Sequence, residues 1–269
     1  MSVSKYSVQS QILKNTDEIK SDWLDLQNKS DCSFFQSWGW VGPWLSQVVI
    51  DLNPLVVRVW FGDLLVGLGL FVTRDLRRHL IIRSSALFLN EYPFDGRNMV
   101  IEYNGLLAAR GHRSIVYTET LRYLLHDRPA YDEFYFGAIT DVASFRRFPA
   151  SISNNIAIVI KREAYAWFVD LGRIDQGMNA YLAGLSQNRR WKIRRSLRLY
   201  EDNGRLRLEE AGNTEEALMF FDGLKEAHTR RWRSKGLPGS FGNPAWELFH
   251  RILISQCFQK GEIQLLKVS

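Results

Sequence analysis

Residues 186–207 read SQNRRWKIRRSLRLYEDNGRLR and gather Arg189, Arg190, Lys192, Arg194, Arg195, Arg198, Arg205 and Arg207 against only Glu201 and Asp202. Cations at this density suit phosphate groups, on a small molecule or along a polyanion, although a solvated helix face has the same composition. Proton-transfer chemistry has three candidates farther on. His228 follows Ala217, Phe221 and Leu224 on the apolar stripe of a helix. An imidazole titrating near neutrality suits a general base, and a buried histidine satisfied by a carbonyl is the alternative. His250, beside Phe249, stands before the same choice. Glu226 offers a carboxylate, or an i,i+4 partner for Arg230. Arg230, Arg231 and Arg233 flank Trp232, as phosphate ligands or as cations gathered at a negative helix end.

The elements that must hold these groups are legible in outline. Ile193, Leu197 and Tyr200 recur at helical spacing, so the basic segment is a helix with one packed face, and Gly204 closes it. Residues 213–232 form a long helix, with Asn213 or Thr214 as cap and Glu215 and Glu216 in its first turn. Asn243–Pro244 opens another helix, Gly261 ends it, and residues 262–268 read as a strand. The loop 236–241 between the helices is a lid or an ordinary connection.

Upstream, residues 33–45 predict a short aromatic helix interrupted at Gly42–Pro43. Residues 55–61 and 64–73 flank Gly62–Asp63 and predict a β-hairpin. Residues 79–84, 99–102, 133–136, 156–160, 167–171 and 206–209 are further strand candidates, and 175–184 a helix. Residues 114–126 predict a helix capped by Ser114. Before it comes a weaker anion motif, in which residues 101–107 lead through Arg110 and Gly111 to the helix start. Strands and helices alternate in both halves, which predicts an α/β (α+β) architecture of two domains, 1–165 and 166–269.

Composition narrows the setting. The 269 residues are 46% hydrophobic with nine Trp, enough for a substantial core. A net charge of +6 and a pI near 9.3 admit anionic cofactors, nucleic acid or membrane surfaces. Cys32 and Cys257 cannot by themselves build a disulfide framework or a metal site. The start lacks a signal-peptide core, and Arg58 and Asp63 interrupt the most apolar stretch, 54–72. The expectation is a cytoplasmic protein with no membrane span and no metal.

Several segments in order carry a family resemblance: FFQSWGW at 34–40, IEYNGLLA at 101–108, the basic helix within 185–204, and HTRRW at 228–232. GSF at 239–241, FH at 249–250 and GEIQLL at 261–266 complete it. Together they resemble the acetyltransferases associated with cellulose biosynthesis (the CelD type), within the GNAT and FemAB-like acyltransferases. The resemblance implies tandem GNAT-like folds, each a mixed sheet flanked by helices. It implies acyl transfer from acetyl-CoA to an amine or hydroxyl on a small-molecule, sugar or peptide acceptor, in exopolysaccharide or cell-envelope metabolism. On this reading His228, Glu226 and His250 serve proton transfer, while Arg189, Arg190, Lys192, Arg110 and Gly111 serve the CoA phosphates. If residues 262–268 are the strand that precedes the pyrophosphate loop, that loop and its helix would follow Ser269. The expectation is then an incomplete second domain, with an inactive fragment lacking its donor site as one alternative to the acyltransferase. A polyanion-binding module, for RNA or other nucleic acid, is the alternative expectation.

Overall fold

The computed structural model describes residues 5–78, 81–99, 101–127, 130–140, 152, 156–170, 172, 174, 177–202 and 204–269. It divides into two compact units, Met1–Ile156 with Gly212–Gln264, and Ala157–Ala211 with Leu265–Ser269. The α/β class, with a mixed sheet flanked by helices, is what the first unit shows.

That sheet runs β1 (Tyr6–Ile12), β2 (Leu55–Phe61), β3 (Leu64–Arg78), β4 (Ile82–Leu89) and β6 (Glu133–Tyr135), with β5 (Leu107–Ala108) also paired to β3. Every pairing is antiparallel except β4 with β6. The β2–β3 hairpin turns at Gly62, whose φ of 57° is the positive value the first position of a type II′ turn requires. β2 has five buried residues in succession because both faces of the sheet are covered. Val56, Leu68, Leu70 and Val72 enter one core, with Trp23 of α1 (Asp17–Asn28) and Trp40 of α2 (Trp38–Trp44). Leu55, Val57, Val59 and Phe71 enter the other, beneath α3 (Arg113–His126). The α3 layer lies so close that a Cβ on Gly67 of β3 would stand 2.5 Å from Val116 Cγ1.

Two polar groups inside this packing are fully occupied. Arg58, 9% exposed on β2, donates to Asp22 at 2.8 Å and to the Glu18 carbonyl at 3.0 Å, so its charge is paired where desolvation would otherwise cost most. The β4–β6 ladder ends at Phe88↔Tyr135. Beyond it Asn104 Nδ2 donates to Leu89 O (2.9 Å) and to Gly137 O (3.1 Å), filling the place a ladder bond would take.

Helices α6 (Thr214–Arg233) and α7 (Pro244–Cys257) belong to the same unit. Phe249 of α7 meets Trp40 at 4.8 Å between centroids, and Leu253 and Cys257 join that core. The second unit holds α4 (Gly177–Ala183), α5 (Gln187–Glu201) and a two-stranded antiparallel ribbon, β7 (Leu208–Glu210) with β8 (Leu266–Val268).

Several boundaries differ from expectation. The N-terminal strand β1 and helix α1 were not foreseen, because one alternates weakly and the other is mostly polar. Pro43 does not interrupt α2. The helix continues through it to Trp44 and changes to π-type bonding over Leu45–Val49. His112, not Ser114, stands at the N-cap of α3, its ring nitrogen bonded to the Tyr6 hydroxyl at 3.0 Å. β4 runs on to Leu89, while residues 79 and 80 of the expected strand lie outside the described residues. Residues 99, 101 and 102, 156–160 and 167–170 form no strand; residues 100 and 171 lie outside the described residues. Residues 175 and 176, proposed as the start of α4, lie outside them too, and the terminal strand is limited to Leu266–Val268.

Candidate active site

The residues proposed for proton transfer stand on the α6–α7 hairpin, and local sequence explains how that hairpin forms. Asn213 Oδ1 accepts the Glu216 N–H at 2.9 Å and starts α6. Asn243 Oδ1 accepts the Ala245 N–H at 3.1 Å and starts α7, with Pro244 in its first turn. Between them the chain turns at Gly236, where Leu237 N donates to Trp232 O at 3.0 Å, as in a helix stop closed by glycine. Gly239, at φ 66°, then folds back so tightly that a Cβ there would lie 2.5 Å from His228 Cε1. Only glycine satisfies both the positive φ and the contact. Charged pairs tie the helices together: Lys225 and Arg251 both reach Glu247, at 2.7 and 3.1 Å, and Arg251 also meets Asp222.

His228 and His250 belong to one aromatic cluster. Phe241 lies 5.2 Å from the His228 ring and 4.8 Å from Trp246, and Trp246 lies 3.8 Å from His250. Phe221 completes it, 5.4 Å from Phe241 and 6.2 Å from His250. The two imidazoles nevertheless differ chemically. His250 Nδ1 lies 2.7 Å from the Trp246 carbonyl, a bond that places the neutral ring's proton on Nδ1 and leaves Nε2 with its lone pair. Burial among these rings lowers the His250 pKa from the usual 6.5, against the smaller opposing pull of the Trp246 carbonyl. His228 Nδ1 is buried with no hydrogen-bond partner among the described residues. Glu226 is exposed on α6.

The cations proposed for phosphate fall into three situations. Arg189 and Lys192 are exposed on α5 and form no ion pair among the described residues, so their charge is available to a phosphate. Arg190 is engaged: its Nη1 donates to Leu185 O at 2.5 Å and Ala183 O at 3.2 Å, closing the end of α4. Arg110 is engaged as well, on Asp31 at 2.8 Å and the carbonyls of Ser30 and Asn28, where α1 ends. Gly111 beside it has φ 81° and open space at its Cβ position.

Sequence reading missed Phe241 and Trp246 as the link between the histidines, since helix pattern alone does not show what a loop aromatic packs against. It also missed Glu91, just past β4. Burial raises its carboxyl from 4.5 to about 6, and the Gly137 N–H only partly offsets this.

Residues 187–269 match the family model of an acetyltransferase (GNAT) domain. Among solved structures, an aminoglycoside antibiotic 6'-N-acetyltransferase from Acinetobacter haemolyticus is 17% identical, with 61% of this chain and 99% of that one covered at a TM-score of 0.35. An integron cassette protein from the mobile metagenome of V. cholerae is 10% identical, with 63% and 98% covered at 0.36. No curated protein matches the chain. The family match is the comparison that bears on chemistry.

Proposed function

We propose that this chain serves an acyltransferase of the GNAT type, with the chemistry on the α6–α7 hairpin. The single observation that carries the reading is the acetyltransferase-domain match over 187–269, which contains α5, α6, α7 and both candidate histidines. Acetyl-CoA enters as a substrate and supplies the activated thioester. The acceptor is an amine or hydroxyl on a small molecule, sugar or peptide, in cellulose, exopolysaccharide or cell-envelope metabolism, as the CelD-type resemblance suggests.

Direct transfer needs a base more than a covalent nucleophile. We assign that role to His250 ahead of His228 and Glu226. The Trp246 carbonyl fixes its tautomer and its depressed pKa keeps it neutral at physiological pH, so Nε2 can receive a proton. As the acceptor nitrogen or oxygen bonds to the acyl carbon, its proton passes to Nε2 and the carbon–sulfur bond breaks to release the CoA thiolate. The proton held at Nε2 then passes to that thiolate, directly or through solvent, which returns His250 to its neutral form. Arg189 and Lys192 are the proposed phosphate contacts, on charge and exposure. Arg190 and Arg110 act as positioning residues, holding the ends of α4 and α1.

The test follows free thiol released from acetyl-CoA with amino-sugar, oligosaccharide and peptide acceptors, beside calorimetry of acetyl-CoA on the 269-residue chain. His250→Gln is expected to lower kcat by about 100-fold or more. Its acid limb in the wild-type pH profile should lie below the usual histidine range. His228→Gln should leave that limb in place. Unchanged kcat in His250→Gln rejects the base assignment. No thiol release with any acceptor, together with no heat of acetyl-CoA binding, rejects the function.

A further inference from the structure

The sheet of the first unit ends on β1, and no strand among the described residues pairs with its outer side. Which backbone groups face outward follows from the ladder with β2. Gly62 N donates to Lys5 O and Leu13 N to Pro54 O, both at 2.9 Å and both in register with the β1–β2 pairs. Bonded and non-bonded pairs alternate along an antiparallel ladder, so Ser7, Gln9 and Gln11 direct their N–H and C=O groups to β2. Val8, Ser10 and Ile12 direct theirs away from it. The strand, YSVQSQI, contains no charged residue and no proline, and its register with β2 is unbroken. Charges, prolines and bulges are devices that keep an edge from pairing, and β1 carries none of the three. Ile12 is 46% exposed. Beside the strand lies an open hollow of about 440 Å³, lined by Tyr6 and Val8 of β1 and by Arg122 and Tyr123 of α3.

We infer that two copies of this chain join through β1, antiparallel about a two-fold axis at Gln9, so that one sheet runs through both. The inference goes beyond acyl transfer and stands independently of it. A row of alternating N–H and C=O groups is matched by another extended backbone. An axis at Gln9 sets Val8 of each copy against Ser10 of the other, and each such pair exchanges two hydrogen bonds. It also sets Ile12 opposite the second copy's Tyr6, on the face that bears the hollow, and so covers an exposed aliphatic side chain. Two-fold pairing opposes a strand to its own sequence, so any charge on it would meet its like. β1 brings none. Pairing of β1 with β6 of another copy would be limited to three residues and would leave a row of copies open-ended. A foreign strand would find the same backbone groups, but it is β1 whose uncharged sequence and centred register match themselves.

The experiment is sedimentation equilibrium of the 269-residue chain over a range of concentrations, where a monomer–dimer equilibrium is expected. Ser10→Pro removes an outward N–H from each copy, leaves the bonds to β2 intact and should weaken the dimer about tenfold or more. Ser10→Ala keeps that N–H while losing the Tyr123 hydroxyl contact at 2.9 Å, and should leave the dimer unchanged. Gln9→Lys, at an exposed position, puts two ammonium groups at the axis and should weaken the dimer about fivefold. An equimolar mixture of Gln9→Lys and Gln9→Glu should form a mixed dimer tighter than either variant forms alone. Circular dichroism checks that each variant folds as wild type does, and the Gln9 pair decides the matter if Ser10→Pro does not. Four results overturn the inference: a monomer at every concentration, a dimer that Ser10→Pro and Gln9→Lys leave unchanged, a Lys–Glu mixture with no preference for the mixed pair, or capture of an extended foreign peptide on β1 by a chain that stays monomeric.

Discussion

Trp23 and Trp191 both sit on helices, and they sit in opposite circumstances. Trp23 is fully buried in the first unit, its indole N–H donating to the Gln36 carbonyl at 2.8 Å. Trp191 is 52% exposed in the second, with the Arg195 guanidinium over its ring. Their surroundings repeat the contrast. The first unit has two continuous cores, one on each face of its sheet. In the second, Leu182 and Ala211 are the only buried apolar residues among those described. A two-stranded ribbon with an exposed apolar face cannot supply much stability alone. The comparison teaches that folding energy in this chain resides in the first unit, while the second presents surface.

The sharpest way to break this comparison is to exchange the tryptophans' fates. Trp23→Ala should cost about 3–5 kcal/mol in urea denaturation, from lost burial, a cavity and an unpaired Gln36 carbonyl. A loss below about 1 kcal/mol would mean the first unit is not the cooperative core. Next comes Glu91. Its folded pKa of about 6 lies above the ordinary 4.5, so its contribution to stability is complete below pH 4.5 and is lost as pH rises through about 6. Glu91→Gln should therefore gain about 2 kcal/mol at neutral pH, a gain that vanishes below pH 4.5. A gain that is flat with pH would reject the buried-acid account.

Asn213→Ala removes the α6 cap and should cost about 1 kcal/mol. Seen as a shift of the main unfolding transition, it would tie α6 to the first unit's cooperative core. A separate, earlier transition would detach it. Smallest of all, Trp191→Ala should stay within about 0.5 kcal/mol of wild type. A larger loss would mean that α5 packs on something this structure leaves open.

Much of the local order was legible in the residues. The β2–β3 hairpin announced itself through Gly62–Asp63 between two apolar runs. The caps Asn213 and Asn243, and the span of α5, came from short-range hydrogen-bonding chemistry and helical spacing. The mostly polar α1 escaped because few of its residues are apolar, and Trp23 shows its importance only once the sheet covers it. At the candidate site, the sequence named both histidines without ranking them. Their difference lies in the Trp246 carbonyl that one meets and the other lacks. A helix pattern cannot state which ring nitrogen will find an acceptor.

Composition and spacing alone determined the α/β class and the cationic character of α5, because those properties reside in residue type and short-range periodicity. Tertiary structure alone decided which charges are spent. Arg110 and Arg190 read in sequence like Arg189, but carbonyls at the ends of α1 and α4 hold them and leave Arg189 to solvent. A guanidinium's partner is fixed by where distant chain ends fall in space, and no run of neighbouring letters carries that distance.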